Sequence, residues 1–236
     1  MQRWRAACNT GFCELRDLAD REPAVKRLLI VGAGGLGSEA LWVAQLMKEW
    51  ECVGFADDRH SGDRLIHGMR FLGSITEAKR FTPPFWVHCA IGDDQVRKRV
   101  IEDFAICGWK LATLIHPSVI VAPSATIGDG CYIAAGSILC PNTTLGTGVL
   151  VNNHVSVGHD SAVGAFSQLC PGVRVSGNCT LGELVFMGSN AVVSQGIKVG
   201  DGAAIGASSF ANRDVADGQT VVGVPARSRQ ATRTVI

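Results

Sequence analysis

The chain predicts a small parallel α/β unit followed by a parallel β-helix of hexapeptide repeats, and two observations carry that reading. From Ile115 to Ile205 every sixth residue is aliphatic or Met, without insertion or slip. Before that beat begins, a short apolar strand, a glycine-rich loop, a helix-period stretch and a second apolar strand follow one another from Arg27. Composition sets the frame: 236 residues, 47% hydrophobic and 18% charged, describe an ordinary soluble globular protein with room for two modest domains. A net charge of +1 gives no footprint for nucleic acid or an acidic membrane surface.

The hexad beat runs through Val121, Ile127, Ile133, Leu139, Leu145, Val151, Val157, Val163, Leu169, Val175, Leu181, Met187, Val193 and Val199. Neither a helical period of 3.6 nor a strand period of 2 survives so long at this spacing. A fixed period this short marks a solenoid. Four residues past each large aliphatic comes a small or compact one, such as Ala125, Cys131, Ser137, Thr143, Ser161, Ser167, Cys179, Ala191 or Ala203, expected inward at the coil's turn. One residue past, glycine recurs (Gly128, Gly146, Gly158, Gly164, Gly182, Gly188), expected where the backbone turns tightly or takes positive φ. Three hexads make one triangular coil, so residues eighteen apart stack. Each buried Val, Leu or Ile then contributes roughly 1.5–3 kcal/mol.

Four segments are expected. Residues 1–26 are charged throughout and read as a peripheral leader, with no signal-like apolar core; no later stretch has the apolar length of a membrane span. Residues 27–113 form the α/β unit, 114–214 the β-helix, and 215–236 a C-terminal segment. Within the α/β unit, strands are expected over 27–31, 51–56 and 85–91. Helices are expected over 38–50 and 94–107, the second turning Val96, Val100, Ile101 and Phe104 inward.

The loop Gly32-Ala-Gly34-Gly35-Leu-Gly37 between strand and helix gives this unit a Rossmann-like start. Such glycines let a phosphate or sugar approach the backbone and the helix N-terminus. Asp57 and Asp58 lie about twenty residues on, where a carboxylate can meet a ribose or a base. On spacing alone the motif fits NAD as well as a nucleotide sugar, and a bland reading is a turn that packs helix on strand.

In the solenoid, Val151-Asn-Asn-His-Val-Ser-Val-Gly-His-Asp160 breaks the run of small polar residues. His159, two places past the inward Val157, should face outward at a coil corner, with His154 at a neighbouring corner. A histidine on a rigid corner is a candidate general base. Asp160 could orient its ring and Asn152 could hold the other face. Read without those neighbours, His159 is a solvated surface residue. His60, His67, His88 and His116 are scattered, and no solenoid pair has metal-ligand spacing, so no metal is expected. Nine cysteines lack any C-x-x-C pair; Cys131, Cys140, Cys170 and Cys179 read as buried fillers, which points to a reducing cytoplasm.

Taken together, LLIVGAGGLG, VGFADD, AIGDDQVRKRV, the hexapeptide run with NNHVSVGHD, and VVGVPAR resemble, in that order, the sialic-acid O-acetyltransferase-like family. The resemblance covers about residues 27–227. The family's best understood members N-acetylate UDP-4-amino-sugars. The resemblance implies a left-handed β-helix, a cytoplasmic homotrimer, acetyl-CoA lying between neighbouring solenoids, and a nucleotide sugar on the N-terminal unit. It places the catalytic base on His159, its acidic neighbour on Asp160 and the contacting Asn on Asn152. Gly177 matches the glycine whose N–H meets the thioester carbonyl, and Gly223, Val224, Pro225 and Ala226 match a segment near the coenzyme. Gly32, Gly34, Gly35, Gly37, Asp57, Asp58 and Gly92 are the nucleotide-sugar candidates. Many members carry His where this chain has Leu36. The implied activity is acetyl-CoA-dependent acetylation of an amino sugar. O-acetylation, a non-catalytic sugar-nucleotide-binding protein and an NAD-dependent oxidoreductase are the alternatives, the last lacking a second dinucleotide half.

Overall fold

The computed structural model describes residues 25–59, 65–81 and 86–229. Most of the expected leader, His60, Phe85 and the end of the C-terminal segment lie outside the described residues.

The α/β unit is built on a four-stranded parallel sheet. Its order is Trp50–Ala56, Lys26–Val31, Trp86–Cys89, Lys110–Leu111. The last strand, two residues long, was not expected: the segment read as a boundary still pairs, Lys110 opposite Trp86. The first helix spans Gly35–Met47, starting three residues earlier than expected because it opens directly on the uncapped glycine loop. It ends where Lys48 turns left-handed at φ 60°, which frees Trp50 to begin the next strand. The second helix, Asp94–Ile106, is capped by Asp93, whose carboxylate accepts the Val96 N–H at 2.9 Å. Its buried face is Arg97, Val100, Ile101 and Phe104 rather than Val96, which is half-buried. A small hairpin, Leu65–Ile66 with Met69–Arg70, also escaped the sequence reading.

From Leu114 the chain winds into a solenoid of two-residue strands that fall into three lengthwise parallel sheets. We call first the sheet of Tyr132 and Leu150, second that of Ile138 and Ser156, and third that of Thr144 and Ala162. Stacked partners are eighteen residues apart, closing to sixteen only in the last coil, where Ala204 faces Thr220. The aliphatic beat is buried from Ile133 through Ile205. Its first members are not: Ile115 and Ile127 are half-buried and Val121 is exposed, because among the described residues no coil stacks outside the first one.

The recurring glycines serve a different purpose from the one expected. Gly146, Gly158 and Gly188 do not take positive φ. A Cβ on Gly158 would stand 2.5 Å from the Gly177 backbone nitrogen, and one on Gly146 would stand 2.6 Å from that of Ala165. These glycines let successive coils touch. Positive φ falls two residues later, on Gly130, Gly136, Asn142, Gly148, His154, Asp160, Phe166, Gly172 and Asn178. From Gly130 to Ser208 every coil turn therefore carries one left-handed residue, whatever its type. Small fillers behave as expected at Cys131 and Cys179, which are buried, but Cys140 and Cys170 are only half-buried. They sit one residue past the aliphatic, in the position of the recurring glycines.

The α/β unit docks on the first sheet. Leu114, Tyr132 and Leu150 pack with Ala40, Leu41 and Val43 of the first helix. Phe166, at the corner between third and first sheets, joins Val100, Ile101 and Phe104. The fully buried Arg97 rivets the two units. Its Nε donates to Gly148 O at 3.0 Å, one terminal nitrogen donates to Ile91 O and Gly92 O, and the other to Phe166 O. Burial lowers its pKa, but every bond it makes is to a carbonyl dipole that favours the cation.

Candidate active site

The second sheet ends at the corner Gly158-His159-Asp160. Val157 points into the core, so His159, two places on, is thrown outward; its side chain keeps 54% of its exposure and that of Asp160 46%. His159 Nδ1–H donates to Asp160 Oδ2 at 2.7 Å. The left-handed φ of 58° at Asp160 bends the chain so that adjacent side chains can meet. Asn142, one coil earlier, donates from Nδ2 to Asp160 Oδ1 at 2.8 Å. That bond, followed by the one from His159, holds the Asp160 carboxyl below the usual carboxylate range. With Nδ1 committed to the carboxylate, Nε2 is the nitrogen left to take a proton. It faces the next coil: a Cβ on Gly177 would stand 2.5 Å from it. Among the described residues the Gly177 N–H donates to nothing, while its carbonyl accepts from Gly196. A bare glycine therefore leaves room beside Nε2, next to an unused amide donor.

Asn152 and His154 belong to the preceding corner, at the other edge of the second sheet. Among the described residues the Asn152 side chain makes no hydrogen bond, so the expected contact to His159 is not seen; its carbonyl accepts from Ser137 Oγ at 2.8 Å. The amide that completes the His–Asp pair is Asn142, which the sequence reading missed. Its signal was available in the period, since it lies eighteen residues before Asp160. His154 lies against Gly136, and its carbonyl accepts from Arg174. Gly223-Val-Pro-Ala226 forms the tip of a terminal hairpin, Thr220–Gly223 with Ala226–Ser228, that continues the first sheet. Gly223 N–H donates to Ser209 Oγ at 2.9 Å, placing the tip below the corner that carries Asn152.

The glycine loop separates into two kinds of glycine. A Cβ on Gly32, where φ is +100°, would stand 2.5 Å from Ala90 O, and one on Gly37 would strike Gly32 O; these two pack strand, helix and neighbouring loop. Gly34, Gly35 and Gly92 have open space where a side chain would be, and all three are exposed. Both carboxylates after the second strand are engaged with backbone. Asp57 accepts the Ala33 and Arg59 N–H groups, each at 2.8 Å, and Asp58 accepts that of Ile75 at 2.9 Å. His67, unassigned from the sequence, lies against the same loop, its Nε2 at 3.3 Å from Ala33 O. No local spacing could reveal it, since the hairpin brings it across 34 residues.

Other reactive groups are poor candidates. Burial raises the thiols of Cys131 to about 12 and of Cys52 to about 11, and raises those of Cys170 and Cys179 as well. None of these four thiols is suited to form an acyl-enzyme. His88 is buried, and desolvation pushes it down to about 4, so it is neutral. No group of metal-binding residues occurs among the described residues. Nor is any of their helices long and apolar enough to cross a membrane.

A hexapeptide solenoid with a carboxylate-held histidine on an exposed corner defines a hexapeptide-repeat acyltransferase. Residues 27–104 match the family model of the PglD N-terminal domain, and residues 180–210 that of the hexapeptide repeat of succinyl-transferase. The acetyltransferase domain of PglB from Neisseria gonorrhoeae, solved in complex with acetyl coenzyme A, superposes with a TM-score of 0.82. It is 34% identical, covering 87% of this chain and all of that one. A mutant perosamine N-acetyltransferase from Caulobacter crescentus, in complex with CoA and GDP-perosamine, gives 0.81 at 25% identity, covering 88% and 99%. GDP-perosamine N-acetyltransferase of Escherichia coli O157:H7 is 29% identical over 217 residues, 88% of this chain and 98% of that protein. The chain belongs to the hexapeptide-repeat acyltransferases that carry a PglD-type N-terminal domain.

Proposed function

We propose that this protein transfers the acetyl group of acetyl-CoA to the amine of a nucleoside-diphosphate amino sugar, with His159 as general base. The observation that carries the reading is the His159–Asp160 pair, whose free Nε2 lies beside the bare, unpartnered amide of Gly177. The sugar's amine attacks the thioester carbonyl carbon and Nε2 takes the proton the amine sheds. Asp160 stabilises the imidazolium, and the Gly177 N–H supports the developing oxyanion. As the C–S bond breaks, the same proton passes to the departing thiolate.

Residues 27–113 would carry the nucleotide sugar, 114–214 the transfer chemistry, and 215–236 part of the coenzyme site. Exposed Gly34, Gly35 and Gly92 offer close approach for phosphates at the helix start. Asp57 shapes that loop through Ala33, and Asp58 stands beside it with lone pairs left for the nucleoside. The resemblance favours UDP, whereas the full-length relatives named above act on a GDP sugar. The described thiols, all free, suit a cytoplasmic enzyme.

We further read the assembly as a homotrimer. The outward column of the second sheet runs through the exposed Ile120 and Ile138, then Ser156 and Arg174, then the half-buried Val192 and Phe210, so apolar side chains stand at both of its ends. Turning this face to a threefold axis sets the His159 corner of one copy against the Asn152 corner of the next. The Gly223–Ala226 tip then lies on the far wall of the same seam. A walled cleft suits a reaction between two bound substrates.

Thiol release from acetyl-CoA, followed over a panel of UDP-, GDP- and dTDP-linked 4-amino sugars and their 4-hydroxy counterparts, tests the reading. Release is expected with amino sugars only. Equal release with hydroxy sugars would replace it by O-acetylation, and release with neither would remove the acceptor class.

A further inference from the structure

Asp160 stands in a column of left-handed residues, one per coil: Asn142, Asp160 and Asn178 have φ of 60°, 58° and 57°. Asn and Asp tolerate this conformation better than other side chains, which accounts for their presence but not for what they touch. Asn142 is held from below, its backbone N–H donating to Ser124 Oγ at 2.9 Å. Its amide then donates upward to one oxygen of Asp160, while His159 takes the other. The chain Ser124–Asn142–Asp160–His159 thus climbs three coils of a rigid corner, each member fixing the next.

We propose that Asn142 is a positioning residue for acetyl transfer: its amide pins the Asp160 carboxylate so that His159 keeps the Nδ1–H tautomer and presents a bare Nε2 toward Gly177. A carboxylate held at only one oxygen can rotate about its bond to Cβ, and the imidazole it orients rotates with it. With both oxygens engaged, the plane is set before substrate arrives, at no reorganisation cost during reaction. The inference rests on the reading of His159 as base.

The test compares Asn142→Gly with Asn142→Asp. Glycine accepts φ near 60° without strain, so it removes the amide and leaves the turn intact. Aspartate keeps size and backbone preference but sets a second carboxylate against the first. Asn142→Gly is expected to lower kcat about 5- to 10-fold, a step well inside the range of general-base effects. KM for both substrates should stay within about twofold, since neither substrate touches the amide. Asn142→Asp should fall further. Nitrogen-15 NMR of the free protein reads the tautomer directly: mostly Nδ1-protonated His159 in wild type, a mixture in Asn142→Gly. An unchanged tautomer, or a kcat loss matched by a fall in Tm, would overturn the proposal. If instead the tautomer shifts while His159→Ala proves fully active, positioning stands and the base assignment falls.

Discussion

Two histidines five residues apart, His154 and His159, occupy consecutive corners of the same coil and differ by one place in the repeat. His154 is three past its inward aliphatic and itself takes the left-handed turn, which folds its ring back onto Gly136 of the coil before. His159 is two past its aliphatic, so the turn falls on Asp160 instead, and the ring faces forward to Gly177 with a carboxylate on its Nδ1. One corner leaves a ring nitrogen facing an unpartnered amide, and the other lays its ring against the coil before it. What separates them is register within the hexad, not residue type, and both are exposed.

Substitutions at these corners should rank accordingly. The largest loss is expected for His159→Ala: about 100-fold or more in kcat, with little change in KM for acetyl-CoA, as for a group acting mainly in the transition state. Steady-state thiol release checks it, and ordinary activity at neutral pH would return His159 to a surface role. Gly177→Ala comes next. The new Cβ would press on His159 Nε2 and the ring must swing away. Displacing a reacting group by about 1 Å can cost up to about 100-fold, so a kcat near 30-fold down with unchanged Tm is expected. Asp160→Asn keeps the imidazole but removes the charge that supports imidazolium, and about a 10-fold loss is expected, within the span of general-base contributions. His154→Ala should change kcat by less than about threefold, acting only through packing at the seam because its ring lies back against Gly136; a loss equal to that of His159→Ala would erase the distinction between the corners.

The same contrast explains what could be read in advance. The solenoid was legible because one requirement, an inward aliphatic every sixth residue, repeats until it cannot be chance. His159 and Asp160 stood out as departures from that background. Asn142 was equally available, eighteen residues away, but a short polar residue at a turn looks like any other until its partner is known. Asn152 shows the limit from the other side: its resemblance to a contacting residue was clear, yet within one chain it sits at the wrong corner. In the α/β unit the glycines of the loop were visible but not their division of labour. Whether Gly37 packs or Gly34 receives a ligand depends on what lies opposite. His67 and Arg97 reached their places through long-range contacts that carry no local period. The expected role of the repeat glycines failed for a related reason. Close approach between coils and left-handed turning are separate demands, and they fall two residues apart.

In the proposed homotrimer, a working site joins the His159 corner of one copy to the Asn152 corner of the next. Co-assembly of His159→Ala chains with Asn152→Ala chains tests it most directly. Each variant alone has a defect at every seam. In mixed trimers, some seams join an intact His159 corner to an intact Asn152 corner. Thiol release from the mixture is expected to rise well above the sum of the two variants assayed separately. Activity no greater than that sum would place the whole site within a single chain and contradict it.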